Sequence, residues 1–306
     1  MKNKKPFLSI VLPTYNRLSS IREIFLSSLK EQNYQNYELI IIDDDSSDRT
    51  KEYFNSLAFS EEFPSIAEIT KYFRNSKNLG APASRNLGVK KSSWLWIWIV
   101  EDDIQCKDPD FLQKAIHIIE KKTKEDRLIK VISPYLKIMN DKGYYQLPKN
   151  QICKIWFISG EIYFDVNKKI DGYVDSTHCV TFIEKSTWNM LGGQDERLYI
   201  GNTFRDESDF YIRVIKNWYR IWYAGEVLQA SHRNDLVKTW GQKKINTLPL
   251  YKQEFIVWEN HYKFLKKNFS FPYVRIMLFV TVRVIKHLFN SLRLGKLKYY
   301  LGILWL

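Results

Sequence analysis

Two runs of three consecutive acids, Asp43-Asp44-Asp45 and Glu101-Asp102-Asp103, stand out as the residues of this sequence that could do chemistry. Adjacent carboxylates repel one another and need a compensating cation. A hard divalent ion, Mg²⁺ or Mn²⁺, prefers carboxylate oxygen and is commonly shared between one or two carboxylates and substrate phosphates, so the second run suits a metal–nucleotide complex. Tyr15 is available to stack on a base, and Arg85 to meet a phosphate or a base carbonyl. A third acidic group, Asp206, Glu207 and Asp209, opens a helical pattern; there the helix dipole helps a carboxylate stay ionised and take a proton from a hydroxyl nucleophile. Each group alone has a plainer reading, since acids are ordinary turn and N-cap residues and complement a helix N-terminus. The joint placement of both triples at strand ends favours the metal–nucleotide reading.

The elements that must position these residues follow from apolar spacing. Phe7 to Leu12 and Glu38 to Ile42 are short apolar runs of the kind buried on both faces of a parallel sheet. Between them Leu18, Ile21, Ile24, Phe25 and Leu29 recur at helical spacing, which predicts a crossover helix and a βαβ unit. A weaker strand at Ile66 to Phe73, a helix after Gly80 and a strand at Trp94 to Val100 continue the alternation into a doubly wound, mostly parallel, Rossmann-like α/β sheet. In such sheets ligands sit beyond the carboxyl ends of the strands, where Pro13 to Arg17 and both acidic triples fall. Further on, the pattern predicts a helix around Phe111 to Lys122, a strand near Leu128 to Ile132, hairpins to Phe182 and a helix from Glu207 to Trp218. A strand-like run from Ile221 ends at His232. A lone His is more often structural than a metal ligand.

The 306 residues, 45% hydrophobic and 26% charged, suffice for a large core and exclude a disordered chain. Cys106, Cys153 and Cys179 form no CxxC pair and read as reduced thiols, and no HExxH motif indicates a zinc hydrolase. The apolar runs are too short to span a bilayer and no secretory signal pattern opens the chain, so a cytoplasmic protein is expected. Of the net charge of +13, +11 belongs to residues 233–306. A near-neutral body with a basic arm argues against nucleic acid as the partner and for an anionic surface bound by one end.

Within that arm, Arg275, Arg283, Lys286, Asn290 and Arg293 share one stripe of a helix. Met277, Leu278, Val280, Val284, Ile285, Leu288 and Leu292 collect opposite, while Ile276 and Phe279 intrude on the polar side. Two readings stand side by side: peripheral contact with an anionic membrane through residues 270–306, on the cytoplasmic face, or a helix packed on the body with its basic face in water.

At this point the residues resemble a family. Ser9 to Arg17 (SIVLPTYNR), Glu38 to Asp48 (ELIIIDDDSSD), Asn78-Leu79-Gly80 with Ala83 to Gly88 (ASRNLG), Glu101-Asp102-Asp103, Gly192 to Glu196 (GGQDE), the acidic start at Asp206 and His232 look like the ordered signatures of family 2 glycosyltransferases of the GT-A fold, in particular those of bacterial or archaeal envelope polysaccharides. The resemblance covers residues 7 to 233. It implies a nucleotide-sugar donor half (1–105), an acceptor and catalytic half (106–235) and a C-terminal helical extension (236–306).

The resemblance further implies that Pro13 and Tyr15 line the nucleoside pocket, that Asp44 accepts a hydrogen bond from the base and that Arg85 faces base or ribose, with Arg17 and Asp102 counted in the same donor-binding set. By the same resemblance Asp103, with Glu101 or Asp102, takes the place of the family's DXD metal motif, whose first Asp is Glu101 here, and His232 occupies the position that in some relatives completes the metal shell. Glu207, or its neighbours Asp209 and Asp206, would be the base. The implied reaction is an inverting, Mn²⁺- or Mg²⁺-dependent transfer from a nucleotide-diphosphate sugar to a hydroxyl of a glycan or lipid-linked acceptor. The competing readings are a sugar-phosphate nucleotidyltransferase, against which stands the lack of a Gly-rich basic loop after the first strand, and a membrane- or nucleic-acid-binding adaptor driven by the basic tail.

Overall fold

The computed structural model describes residues 8–140, 143–144, 153–156, 158–163, 170–198, 205–233, 236 and 249–293. Its frame is an eight-stranded sheet of order β11-β13-β6-β12-β4-β1-β2-β3. These strands are β1 (Leu8–Thr14), β2 (Tyr37–Asp43), β3 (Thr70–Arg74), β4 (Trp96–Ile99), β6 (Ile129–Ser133), β11 (Asp171–Val174), β12 (Thr181–Glu184) and β13 (Arg220–Ala224). A smaller sheet joins β5 (Ile104–Gln105), β14 (Gln229–Arg233), β7 (Tyr135–Asn140) and β8 (Gly143–Tyr144), and β9 (Lys154–Trp156) pairs with β10 (Glu161–Tyr163).

The centre of the large sheet is buried on both faces, as its unbroken apolar runs require. Ile10, Leu12, Leu39, Ile41 and Trp98 enter one core cluster, and Val11, Ile40, Ile42 and Ile97 enter the cluster on the opposite face, the period of two expected of strands. Parallel pairing sets Thr14 beside Asp43 and Val11 beside Ile99, so the loops after β1, β2 and β4 emerge at one edge. Antiparallel β12 begins there too, with Thr181 beside Ile99.

Ten helices are described: α1, a helical run made of Leu18–Ser20, a π-helical Ile21–Leu26 and Ser27–Lys30; α2 (Thr50–Phe54), α3 (Leu57–Glu62) and α4 (Pro64–Ala67); α5 (Ala81–Lys91), α6 (Phe111–Glu125), α7 (Lys185–Met190), α8 (Asp206–Lys216), α9 (Leu250–Asn268) and α10 (Pro272–Arg293). α5 lies close on β1 and β2, and a Cβ at Gly88 would overlap the Val11 side chain, so glycine sets that approach.

Two expected strands come out differently. The start of the Ile66 to Phe73 run is the helical turn α4, because Pro64 at its first position favours a helix start, and only Thr70–Arg74 is strand. The Ile221 to His232 run divides at the Gly225 turn into β13, in the large sheet, and β14, in the small one. The domain boundary expected at residue 235 lies outside the described residues.

α9 and α10 pack on each other and α9 packs on α8, with Phe264 and Leu265 buried against Ile155, Ile162 and Ile212. Ile276 and Phe279, which intrude on the polar stripe in the sequence pattern, are among the residues α10 turns inward, while Met277 and Leu278 face solvent. No described helix is long and apolar enough to cross a membrane.

Candidate active site

The loops at the common edge are stitched together by side chains whose types recommended them. Asn16 accepts the Ser47 amide at 2.6 Å, its own amide donates to Ser46 Oγ at 2.8 Å, and the Leu18 amide donates to Asp48 Oδ2 at 2.9 Å. Thr14 Oγ1 donates to Asp102 Oδ2 at 2.9 Å, tying the first loop to the second acidic triple. Within Asp43-Asp44-Asp45 the acids have separate duties. Asp43 accepts from Arg74 and the Ser46 amide, Asp45 pairs with Arg74, and buried Asp44 accepts from Asn75 Nδ2 and the amides of Leu79 and Gly80 at 2.7–2.9 Å. Asp44 thereby fixes the turn that starts α5. Tyr15 is 45% exposed, with its ring free to stack.

The second triple also divides. Asp102 is buried against Thr14 and Arg17, whose Nε lies 2.8 Å from Asp102 Oδ1, and it stands apart from the potential ligand cluster. Asp103 gives one oxygen, Oδ2, to Arg17 Nη2 at 2.6 Å. Its other oxygen, Oδ1, is buried, forms no aligned hydrogen bond and faces His232 Nε2 at 3.2 Å. Glu101, Asp103 and His232 each offer one ligand atom, all within 4.8 Å of one another. Two carboxylates, one of them with a buried oxygen that forms no aligned hydrogen bond, and an imidazole suit a divalent cation such as Mn²⁺ or Mg²⁺ with coordination sites left for phosphate. His232 arrives there because β14 leaves the large sheet and pairs with β5, setting His232 beside Ile104, and the Arg233 amide donates to the Asp103 carbonyl at 2.8 Å. Burial opposes charge on both groups, yet each favours the other's: Asp103 is held below the ordinary carboxylate range by His232 and Arg17, and His232 is raised by Asp103 and Glu101.

Two basic residues expected at the nucleotide each pair with acids of the site. Arg17 is spent on Asp102 and Asp103. Arg85 is buried, with Nη2 3.3 Å from Glu101 Oε1 and Nη1 3.4 Å from Asp206 Oδ2 and 3.1 Å from Gln194 Oε1. A buried guanidinium needs counter-charge, and these carboxylates supply it. Arg85 therefore bridges Glu101 to the start of α8, with Glu207 Oε1 at 3.9 Å. Beside it, Asn86 clasps the Gly192 to Glu196 loop, accepting the Gln194 amide and donating to the Gln194 carbonyl and Glu196. A Cβ at Gly193, where φ is +69°, would overlap the Asn86 amide, so that glycine is required twice over.

The three candidate bases differ in access. Asp206 and Asp209 side chains are 2% and 0% exposed, whereas Glu207 is 27% exposed. Asp209 is not brought to the acid cluster. Its carboxylate is engaged by Lys267 Nζ at 2.8 Å, Asn268 Nδ2 at 2.7 Å and Arg213 at 3.1–3.2 Å, and it anchors α9 on α8. Burial raises Glu207 and Asp206 above the ordinary carboxylate range; the neighbouring Asp206 charge adds to this at Glu207, and Arg85 opposes it at both.

A profile of glycosyl transferase family 2 matches residues 9–191, more than half of the chain. The chain belongs to glycosyl transferase family 2. Its matches cover about a third of the length of several relatives, among them an uncharacterized glycosyltransferase of Haemophilus influenzae (35% identical over 113 residues, 37% of this chain and 34% of that protein). A broader match, 26% identical over 242 residues and covering 75% of this chain and 69% of the relative, is to the GalNAc(5)-diNAcBac-PP-undecaprenol beta-1,3-glucosyltransferase of Campylobacter jejuni. Among solved structures, GalNAc-T7 with UDP, GalNAc and Mn²⁺ superposes with a TM-score of 0.58 at 15% identity, covering 87% of this chain and 51% of that one, and the likeness establishes the GT-A fold. Family membership sets aside the nucleotidyltransferase and adaptor readings.

For this family 2 glycosyltransferase, sequence reasoning did not single out Thr14, Gln194, Lys267 or Asn268 as parts of the site's framework. Thr14 lies within SIVLPTYNR and Gln194 within GGQDE. Lys267 and Asn268 carry no local signal, because their partner Asp209 is 58 and 59 residues away.

Proposed function

We propose that the chain is a metal-dependent, inverting glycosyltransferase that moves a sugar from a nucleoside-diphosphate sugar to a hydroxyl of a lipid-linked or polysaccharide acceptor. The observation that carries this reading is the cluster of Glu101, Asp103 and His232, joined through Arg85 to Glu207, the most exposed of the three candidate bases. Tyr15 and Pro13 form the wall of the nucleoside site, and Asp44 braces the turn opposite. Glu101, Asp103 and His232 would hold Mn²⁺ or Mg²⁺, which when bound neutralises the charge developing on the diphosphate leaving group.

Glu207 acts as the base. Its carboxylate takes the acceptor hydroxyl proton as that oxygen bonds to the anomeric carbon. The bond from that carbon to the diphosphate oxygen breaks, and its electron pair leaves with the nucleoside diphosphate. Attack from the opposite face inverts the configuration. Burial and the Asp206 charge push Glu207 up to about 8 against the positive charge of Arg85 and the N-terminus of α8, a value at which the carboxylate both ionises and takes a proton near neutral pH. Asp206, enclosed beneath, shares the charge of Arg85 without reaching an acceptor. The Campylobacter jejuni relative, named for a polyprenol-diphosphate-linked acceptor, supports the lipid-linked class, and the UDP-bound GalNAc-T7 fold supports a uridine donor.

Calorimetry of UDP, GDP, dTDP and CDP, each with and without Mn²⁺, tests the donor site on the wild type and on Asp103→Ala. The expected result is Mn²⁺-dependent binding of one nucleotide, weakened by at least about a hundredfold in Asp103→Ala. Equal binding by the two proteins would overturn the assignment.

A further inference from the structure

α10 has two apolar faces, and only one is packed against other described residues. The inner face contributes Phe279, which is buried with its ring centroid 3.8 Å from that of His261, and Ile276, which packs on the cluster around Phe264. The outer face presents Tyr273, Val274, Met277, Leu278, Val282 and Ile285 to solvent. Their spacing of i, i+1, i+4, i+5, i+9 and i+12 makes a continuous stripe about 18 Å long. These are not grazing exposures: Met277 is 70% exposed, Tyr273 68% and Val274 58%. The stripe continues past the helix start to Phe271, and to Ile158, whose carbonyl accepts from Arg275 Nη1 at 2.8 Å. A contiguous exposed apolar surface rimmed by charge marks an interaction site.

Charge decides what covers it. Residues 233–306 carry +11, so a second copy laid on this face would bring two strongly basic segments together. Nucleic acid would satisfy the charge and leave the apolar stripe in water. An anionic bilayer satisfies both. Arg275, Lys286 and Arg293 occupy helix positions bordering the Val282 edge of the apolar stripe, whereas Arg283 falls on the Ile276 and Phe279 side; a stripe sunk to the acyl boundary thus carries a row of cationic positions along one border, at headgroup level. We propose that the outer face of α10 is a docking surface for an anionic lipid bilayer, on which the protein lies without spanning it.

The consequence for catalysis rests on the glycosyl-transfer reading. α10 packs on α9, and α9 is pinned to α8 by Lys267 and Asn268 on Asp209 and by Arg205 Nε donating to His261 Nδ1 at 3.2 Å. α8 carries Glu207 in its first turn. The docking surface and the base are thus linked through three packed helices, which keeps the acceptor side of the crevice with the membrane that would supply a lipid-linked acceptor.

Co-sedimentation of the full chain with vesicles of phosphatidylcholine, with and without phosphatidylglycerol, tests the surface without involving donor or metal. The expected result is at least about tenfold stronger partition into the anionic vesicles, reduced but not abolished by salt, and a further loss of about tenfold in the Val274→Glu/Met277→Glu variant at unchanged melting temperature. Equal partition of variant and wild type overturns the proposal. So does binding that vanishes completely in salt, or a wild-type dimer in solution that the variant dissociates, which would assign the face to a second copy. Should the variant fail to fold, the salt and lipid-charge dependence of the wild type decides alone. Nucleotide calorimetry is indifferent to all these outcomes, so failure here leaves the transferase reading standing.

Discussion

The two sides of the crevice, its donor and acceptor sides under the proposed function, hold their carboxylates by different means. On the donor side, neighbouring parallel strands deliver their loops to one edge, and short-range contacts finish the arrangement: Thr14 and Arg17 on Asp102, Arg17 on Asp103, Asn16 on Ser46 and Ser47. On the acceptor side, the first turn of α8 is held from a distance by α9, through Lys267 and Asn268 on Asp209. The donor side is a property of the sheet, whereas the acceptor side depends on the C-terminal helices. Two acids in one helical turn therefore have opposite uses, Glu207 facing the crevice and Asp209 facing the scaffold.

The sharpest way to break this comparison is to exchange the fates of those two acids. Glu207→Gln is expected to lower kcat by roughly 10³-fold with Mn²⁺-dependent nucleotide binding and melting temperature retained. Asp209→Asn is expected to cost about 3 kcal/mol of stability, because it removes the buried anion on which Lys267 and Arg213 converge, with any folded fraction still binding nucleotide. Kinetics, calorimetry and thermal melting on both variants suffice. Were Asp209→Asn to fold normally and lose only turnover, the assignments of the two acids would be reversed.

A test of nearly equal size concerns the floor between the two sides. His178, in the segment leading into β12, donates Nε2–H to the Pro134 carbonyl at 2.9 Å while its Nδ1 is buried with no hydrogen-bond partner. Burial outweighs the Pro134 hydrogen bond and holds the imidazole neutral, its pKa lowered from 6.5 to about 4. The unfolded chain binds a proton at this residue below pH 6.5 that the folded chain refuses, so stability is complete above pH 6.5 and falls as the pH drops towards 4. The loss should reach about 3 kcal/mol over that window. Chemical denaturation at a series of pH values measures it, and His178→Gln should flatten the slope by that amount. An unchanged slope in the variant would remove His178 from the account.

The smallest expected effect sharpens the donor side. Arg17→Gln should weaken Mn²⁺ binding about 10- to 100-fold, because Arg17 occupies Asp103 Oδ2 and leaves Oδ1 directed at the ligand cluster. Titration of Mn²⁺ by electron paramagnetic resonance reads this directly. A change in melting temperature without a change in Mn²⁺ affinity would reduce Arg17 to a purely structural residue.

Much of the donor side was legible in the residue order. Unbroken apolar runs such as Leu39 to Ile42 have to be strands buried on both faces, and the acids that follow them have to lie at the carboxyl edge of the sheet. The motif Arg85 to Gly88 was legible as a unit but not in its contacts. Gly88 serves the approach of α5 to β1, Asn86 the loop at Gly193, and Arg85 joins Glu101 to Asp206. The role of Asp209 was illegible, since an acid in a first helical turn has the same local signature whether it faces a substrate or a lysine 58 residues further on.

The sequence by itself determined the βαβ succession, the family, and the set of carboxylates from which the site is drawn, because strand burial and strand-end chemistry are local properties of consecutive residues. Which member of each acidic group faces the crevice was decided only in the tertiary structure. Arg17 turns Asp102 away from the ligand cluster, the departure of β14 from the large sheet brings His232 to Asp103, and α9 claims Asp209. The same holds for α10, whose pattern showed that it was amphipathic while packing on α9 determined which apolar face it keeps inside. The physical reason is common to all four: a side chain's direction and partner depend on contacts between segments far apart in the chain, and those contacts exist only after the segments have packed.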